Sequence, residues 1–170
     1  MAAVLETPRL SLRQLARGDE AFILELLNSP GFLNNIGDRF VRTAEDAWGY
    51  IANSAIASYE KNGFGLYRTA LKDTDEAIGI CGLVKRDGLD APDVGFAFLE
   101  RFWGKGYAVE TAAAVIAHAR ETLGVKKLLA ITALENRGSI AVLEKIGMRF
   151  IKTLRLPAHD NDSRLFEIDL

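Results

Sequence analysis

The chain has 170 residues, 49% hydrophobic and 26% charged, with 15 glycines and 4 prolines. That is enough apolar material for one packed core, and it excludes a disordered or low-complexity chain. A formal net charge of −2 excludes a general electrostatic pull toward nucleic acid or anionic lipid, and the single cysteine excludes an intrachain disulfide.

In chain order, residues 9–13 (Arg-Leu-Ser-Leu-Arg) alternate apolar and polar and predict a half-buried strand. From Asp19 the period lengthens: Phe22, Ile23, Leu26 and Leu27 fall at helical spacing. Asn28-Ser29-Pro30-Gly31 reads as the stop, followed by a loop with Asn34, Asn35, Gly37 and Asp38. Thr43-Ala44-Glu45-Asp46 has the form of a capping box and opens a helix that ends at Asn62-Gly63. Residues 64–71 and 76–85 predict a hairpin around Lys72-Asp73-Thr74-Asp75, and a second turn leads into a strand at 93–99. An Ala-rich helix then runs to Leu123-Gly124. A strand at 127–134, a short helix from Ser139 to Ile146 and two strands at 148–156 and 164–170 complete the order. Hairpins mixed with strand–helix–strand passages predict one α+β domain over residues 1–170, its sheet mostly antiparallel with some parallel pairing.

Cys81 lies in an apolar strand pattern, where a cysteine acts as a small hydrophobe rather than a nucleophile. The first residues lack the layout of a signal peptide and no apolar run is long enough to span a bilayer. The expectation is therefore a soluble, cytoplasmic protein.

The chemistry concentrates at Arg101-Phe102-Trp103-Gly104-Lys105-Gly106-Tyr107-Ala108, between a predicted strand and the Ala-rich helix. A helix start offers unpaired N–H donors and the positive end of the macrodipole, and glycines let an anion approach the backbone closely. Arg101 and Lys105 add charge. The spacing matches neither a P-loop nor a dinucleotide fingerprint, since no Lys-Ser/Thr follows and position 109 is valine. Two glycines alone leave a plain strand-to-helix turn as an equal alternative.

Arg101-x-x-Gly104-x-Gly106 resembles the Arg/Gln-x-x-Gly-x-Gly/Ala signature of the GNAT acetyltransferases, and Trp103 to Glu110 is similar to their Rim-type (RimJ/RimL-like) branch. Residues 136–148, with Asn136, Ser139, Lys145 and Gly147, resemble a second segment of that branch, as does the opening Glu6-Thr7-Pro8-Arg9-Leu10-Ser11-Leu12-Arg13. The resemblance implies a mixed, mostly antiparallel sheet flanked by about four helices. It also implies a cofactor cleft where the fourth predicted strand (93–99) splays from the fifth (127–134). Acetyl-CoA would be held by Phe96, Ala97, Phe98, Arg101, Phe102, Gly104, Lys105, Gly106, Tyr107, Ala108 and Asn136, with no metal.

The implied reaction is direct acetyl transfer to a primary amine, a peptide N-terminus first and a polyamine or aminoglycoside-like amine second. A non-catalytic CoA-binding domain is the alternative from another class. Many relatives carry a tyrosine where this chain has Leu143, so the resemblance moves the task of serving the thiolate to Ser139, whose other reading is a helix cap. Asp93 stands where several relatives carry an acid and is the candidate base, against a solvated strand end or a water chain. Glu110 reads as structural, an acid near a helix start. Members of the family often pair through sheet edges or helix faces, so a homodimer is compatible with the resemblance.

Overall fold

The computed structural model describes residues 1–170 and lays the strands into one eight-stranded sheet. These are β1 (Leu5–Glu6), β2 (Leu10–Gln14), β3 (Leu66–Leu71), β4 (Ala77–Val84), β5 (Asp93–Phe98), β6 (Lys127–Ala133), β7 (Arg149–Leu154) and β8 (Ser163–Asp169), in the order β1-β2-β3-β4-β5-β6-β8-β7. Neighbours are antiparallel throughout except β5 and β6, which run parallel and meet only at Asp93 opposite Leu129. There the Leu129 N–H donates to the Pro92 carbonyl at 2.9 Å. Beyond that point the two strands part toward their carboxyl ends and leave a V-shaped slot. The expected cleft is thus between the 93–99 and 127–134 segments. They are the fifth and sixth strands, because the two-residue β1 is too short to show a period.

Helices cover both faces. On one lie α1 (Glu20–Leu27), α2 (Pro30–Asn35), α3 (Ala44–Tyr50) and α4 (Ala57–Asn62), burying Ile23, Leu26, Phe32, Ala47 and Ile51 against Ile80 and Leu99. On the other, α5 (Tyr107–Glu121) and α6 (Arg137–Lys145) bury Ala112, Val115, Ala119 and Leu143 against Val94, Leu128, Ala130 and Phe166. Side chains of a strand alternate between faces. Val94 and Phe98 join the α5 core while Ala97 packs with the α1–α4 core, so Asp93 directs its carboxyl to the α1–α4 side.

Three local features differ from the sequence reading. Ser29-Pro30 starts a helix as well as stopping one: the Ser29 hydroxyl accepts the Phe32 N–H at 3.4 Å and Pro30 occupies the first turn of α2. A proline needs no N–H acceptor there and its fixed φ suits a helix start. At Thr43 the capping box is half formed. Its hydroxyl accepts the Asp46 N–H at 3.0 Å, but the Asp46 carboxylate turns to the Arg42 N–H, also at 3.0 Å. A π-helical segment, Ile51–Ile56, then joins α3 to α4 and begins directly after Tyr50. Such widened turns cluster at functional sites.

Candidate active site

The glycine run forms a turn of left-handed residues, with φ of 74° at Gly104 and 82° at Gly106, leading into the first turn of α5. No backbone N–H from Gly104 to Val109 meets an acceptor within the chain, and a side chain added at Gly104 would meet open space. The loop is therefore a concave row of donors at the positive end of a 15-residue helix, which fits a diphosphate. Its base is pinned to the α1–α4 face. The Trp103 indole N–H donates to the Phe98 carbonyl at 2.8 Å and its ring covers Gly31, where an added Cβ would lie 2.6 Å away. The Glu100 carboxylate accepts the Gly31 N–H.

Charge at this cradle comes from an unexpected place. Arg101 turns its guanidinium to Glu25 of α1 at 3.3 Å and lies 5.1 Å from the Phe102 ring centroid. Arg9, just before β2, instead stands over Tyr107, 4.4 Å from its centroid, with a terminal nitrogen 3.3 Å from where a Gly106 Cβ would be. It is held there by Glu110, which accepts from Arg9 Nε at 2.8 Å and from the Thr7 hydroxyl at 2.6 Å. Burial would lift the Glu110 carboxyl, but these hydrogen bonds hold it below its ordinary value. Glu110 thus ties the opening β1–β2 hairpin to α5. Lys105 is exposed on the rim, while Phe102, Tyr107 and Ala108 are half-buried beneath it.

The slot wall follows from the antiparallel alternation of hydrogen-bonded pairs. The Leu99 N–H donates to the Ile78 carbonyl at 2.9 Å, so every second residue of β5, Ala97 included, turns its backbone groups to β4. Phe96 and Phe98 turn theirs to the slot, with the Phe98 carbonyl already occupied by Trp103. Ala97 therefore reaches the slot with no backbone donor or acceptor. Opposite, α6 starts just past the carboxyl end of β6. Asn136 is its cap, its side-chain oxygen accepting the Ser139 N–H at 3.2 Å. Ser139 is thus the capped residue and not the cap, and its hydroxyl has no partner within the chain. Leu143, at 1% exposure, is embedded in the α5–α6 core, so α6 brings no phenol to the slot.

At the closed end of the V lies Asp93, 1% exposed. One carboxylate oxygen accepts from Arg86 Nε at 3.0 Å, and the other is buried without a partner. Burial pushes its pKa above the usual carboxylate range against the opposing pull of Arg86. Five residues of strand, about 17 Å, separate it from Phe98 beside the glycine loop. Tyr50, His159 and Arg39 also gather around Arg86 here. Tyr50 is raised above its ordinary value by burial, with Arg39 and Arg86 pulling it down. His159 is lowered by burial, then by Arg86 and Arg39, against Asp160. Asp38 is engaged elsewhere, paired with Arg42 at 2.6 Å. Cys81 is fully buried, its thiol pushed up to about 12, and offers no nucleophile.

An anion cradle opening onto a strand-lined slot suits a long acyl carrier with a diphosphate at one end, which is the arrangement of CoA-dependent acyltransferases. The chain belongs to the GNAT acetyltransferases, whose acetyltransferase (GNAT) domain it matches over residues 9–149. It is 30% identical over 154 residues to the Bacillus subtilis protein YkkB, covering 89% of this chain and 88% of that one. An acetyltransferase from Agrobacterium tumefaciens superposes with a TM-score of 0.83 at 28% identity, covering 100% of this chain and 95% of that one. RimL, a ribosomal-protein α-N-acetyltransferase solved with coenzyme A, shares the fold with a TM-score of 0.84 at 14% identity, covering 99% and 98%. The chain is an N-acetyltransferase. No helix is long and apolar enough to cross a membrane.

Proposed function

We propose that the chain acetylates a primary amine by direct attack in a ternary complex, with a peptide N-terminus as the acceptor, the kind that the name of RimL gives. The observation that carries the reading is the buried Asp93 carboxylate, one oxygen unpartnered, at the closed end of a slot whose mouth is the anion cradle. Acetyl-CoA brings an acyl group that is already activated, so no enzyme nucleophile is needed, in keeping with the buried Cys81. The N–H groups from Gly104 to Val109 hold the diphosphate, with Lys105 and Arg9 beside them. The Phe96 N–H and C=O, and the Phe98 N–H, receive the pantetheine arm, and Asn136 fixes the start of α6 against it.

Asp93 takes a proton from the acceptor's ammonium and frees the lone pair that attacks, a task suited to a carboxylate raised by burial. As the nitrogen–carbon bond forms and the carbon–sulfur bond breaks, the nitrogen's second proton passes to water. The Ser139 hydroxyl donates a hydrogen bond to the departing thiolate, which takes its proton from solvent. Strand N–H groups facing the slot stabilise the oxyanion between these events. The test is thiol release from acetyl-CoA by the purified chain with peptides bearing a free or a formylated N-terminus, beside a polyamine and an aminoglycoside. Release with the free peptides alone is expected. Acetyl-CoA binding without thiol release from any amine would make the chain a binding module.

A further inference from the structure

At the acceptor end of the slot two arginines, Arg39 and Arg86, keep guanidinium nitrogens that no acid of the chain occupies. In the loop before α3, Asp38 is locked by Arg42 at 2.6 and 3.1 Å and by the Phe40 N–H at 2.7 Å. That leaves Arg39 as the loop's free charge. It stacks over the Phe32 ring, 5.9 Å from its centroid, and approaches the Tyr50 hydroxyl. Arg86 shows Asp93 only its Nε, so its terminal nitrogens stay free, while Lys85 is engaged by the Leu89 carbonyl at 2.8 Å. The β4–β5 loop carrying Arg86 packs on the β7–β8 loop, since a Cβ at Gly88 would lie 2.8 Å from Pro157. This brings His159 and Asp160 to the same closed end. Beside them runs a groove of about 440 Å³ lined by Arg39, Phe40, Tyr50 and Ser54, with Glu45 and Asp46 at its α3 end. Asp46 is turned to the Arg42 N–H.

Resting on the acetyltransferase reading, we propose that the acceptor carries a carboxylate or phosphate close to its amine, gripped by Arg39 and the free edge of Arg86. Guanidinium forks bind such anions through paired, charge-assisted hydrogen bonds. The amine of the same molecule then points to Asp93, so the two charges of the acceptor set its direction in the slot. The shared chemistry is the anion, whether it is an acidic side chain next to a peptide terminus or the acid group of a small amine.

The experiment compares kcat/KM in matched pairs: Ser-Asp against Ser-Lys peptides, L-phenylalanine against phenylethylamine, and phosphoethanolamine against ethanolamine. The anionic member should lead by about tenfold or more in at least one pair, and the pair concerned identifies the source of the anion. Arg39→Gln should bring that ratio near one through KM. Equal or better turnover of every uncharged or cationic member overturns the proposal, as does a ratio that survives Arg39→Gln. Turnover and anion binding are separable. With CoA saturating, inorganic phosphate and succinate should raise the melting temperature of the native chain but not of Arg39→Gln. No protection by either anion defeats the anion site even where amines are acetylated. Protection without turnover of any amine defeats the transferase reading instead.

Discussion

At the mouth of the β5–β6 slot a ligand meets backbone; at its closed end it meets side chains. The mouth is one continuous stretch, Gly104 to Val109, whose N–H groups converge because two glycines turn left-handed ahead of α5. The closed end is assembled from Arg39, Tyr50, Arg86, Asp93 and His159, drawn from α3 and the loop before it, the β4–β5 loop, the start of β5 and the β7–β8 loop. In the proposed reading the diphosphate is held by backbone donors, which side-chain changes that keep the loop's conformation leave in place. A side-chain cluster can be rebuilt residue by residue, so the donor end is generic and the acceptor end particular.

The comparison breaks most visibly at Asp93. Asp93→Asn should lower kcat/KM by about 10² to 10⁴-fold with the KM for acetyl-CoA retained. In the native chain, kcat/KM should rise with pH through the lifted carboxyl pKa, and the variant should lose that limb. The sign for stability is opposite. A carboxyl raised in the fold contributes stability that is full below its unfolded pKa and is lost as pH rises through the folded one. Asp93→Asn should therefore melt higher than the native chain at neutral pH, with the gap closing on acidification; a lower melting temperature at neutral pH would contradict this.

Ser139→Ala comes next, with kcat reduced about ten- to a hundredfold and unchanged acetyl-CoA affinity by titration. At the mouth, Gly106→Ala forces a Cβ into a φ of 82° and within 3.3 Å of Arg9, so it moves binding and not chemistry. A left-handed alanine costs about 1–2 kcal/mol, and the KM for acetyl-CoA should rise by roughly tenfold while kcat holds. The smallest effect is expected from Asn136→Ala. Loss of the α6 cap should cost about 1 kcal/mol, a melting shift of about 2–4 °C.

The same contrast explains what could be read along the chain. Alternation and helical spacing placed the long elements, whereas the glycine run marked only a strand-to-helix turn until the resemblance made it a candidate phosphate cradle. β1 carries no period at two residues, and Ser29-Pro30 serves equally as a stop and a start. The π-helical segment after Tyr50 leaves no mark in composition. Asp93 stood out only through the resemblance, as a position where relatives carry an acid, and its burial beside Arg86 and its single unpartnered oxygen needed the packed loops. Arg9, Arg39 and Arg86 look like ordinary surface arginines until the fold brings Gly106, Tyr50 and Asp93 to them.

Direct attack within a ternary complex is the central claim, and initial-velocity kinetics test it most directly. With acetyl-CoA and the amine varied against each other, double-reciprocal lines should intersect, and no acetyl group should remain on the protein after incubation with acetyl-CoA alone. Parallel lines together with a stably acetylated chain would show a covalent relay and contradict the account.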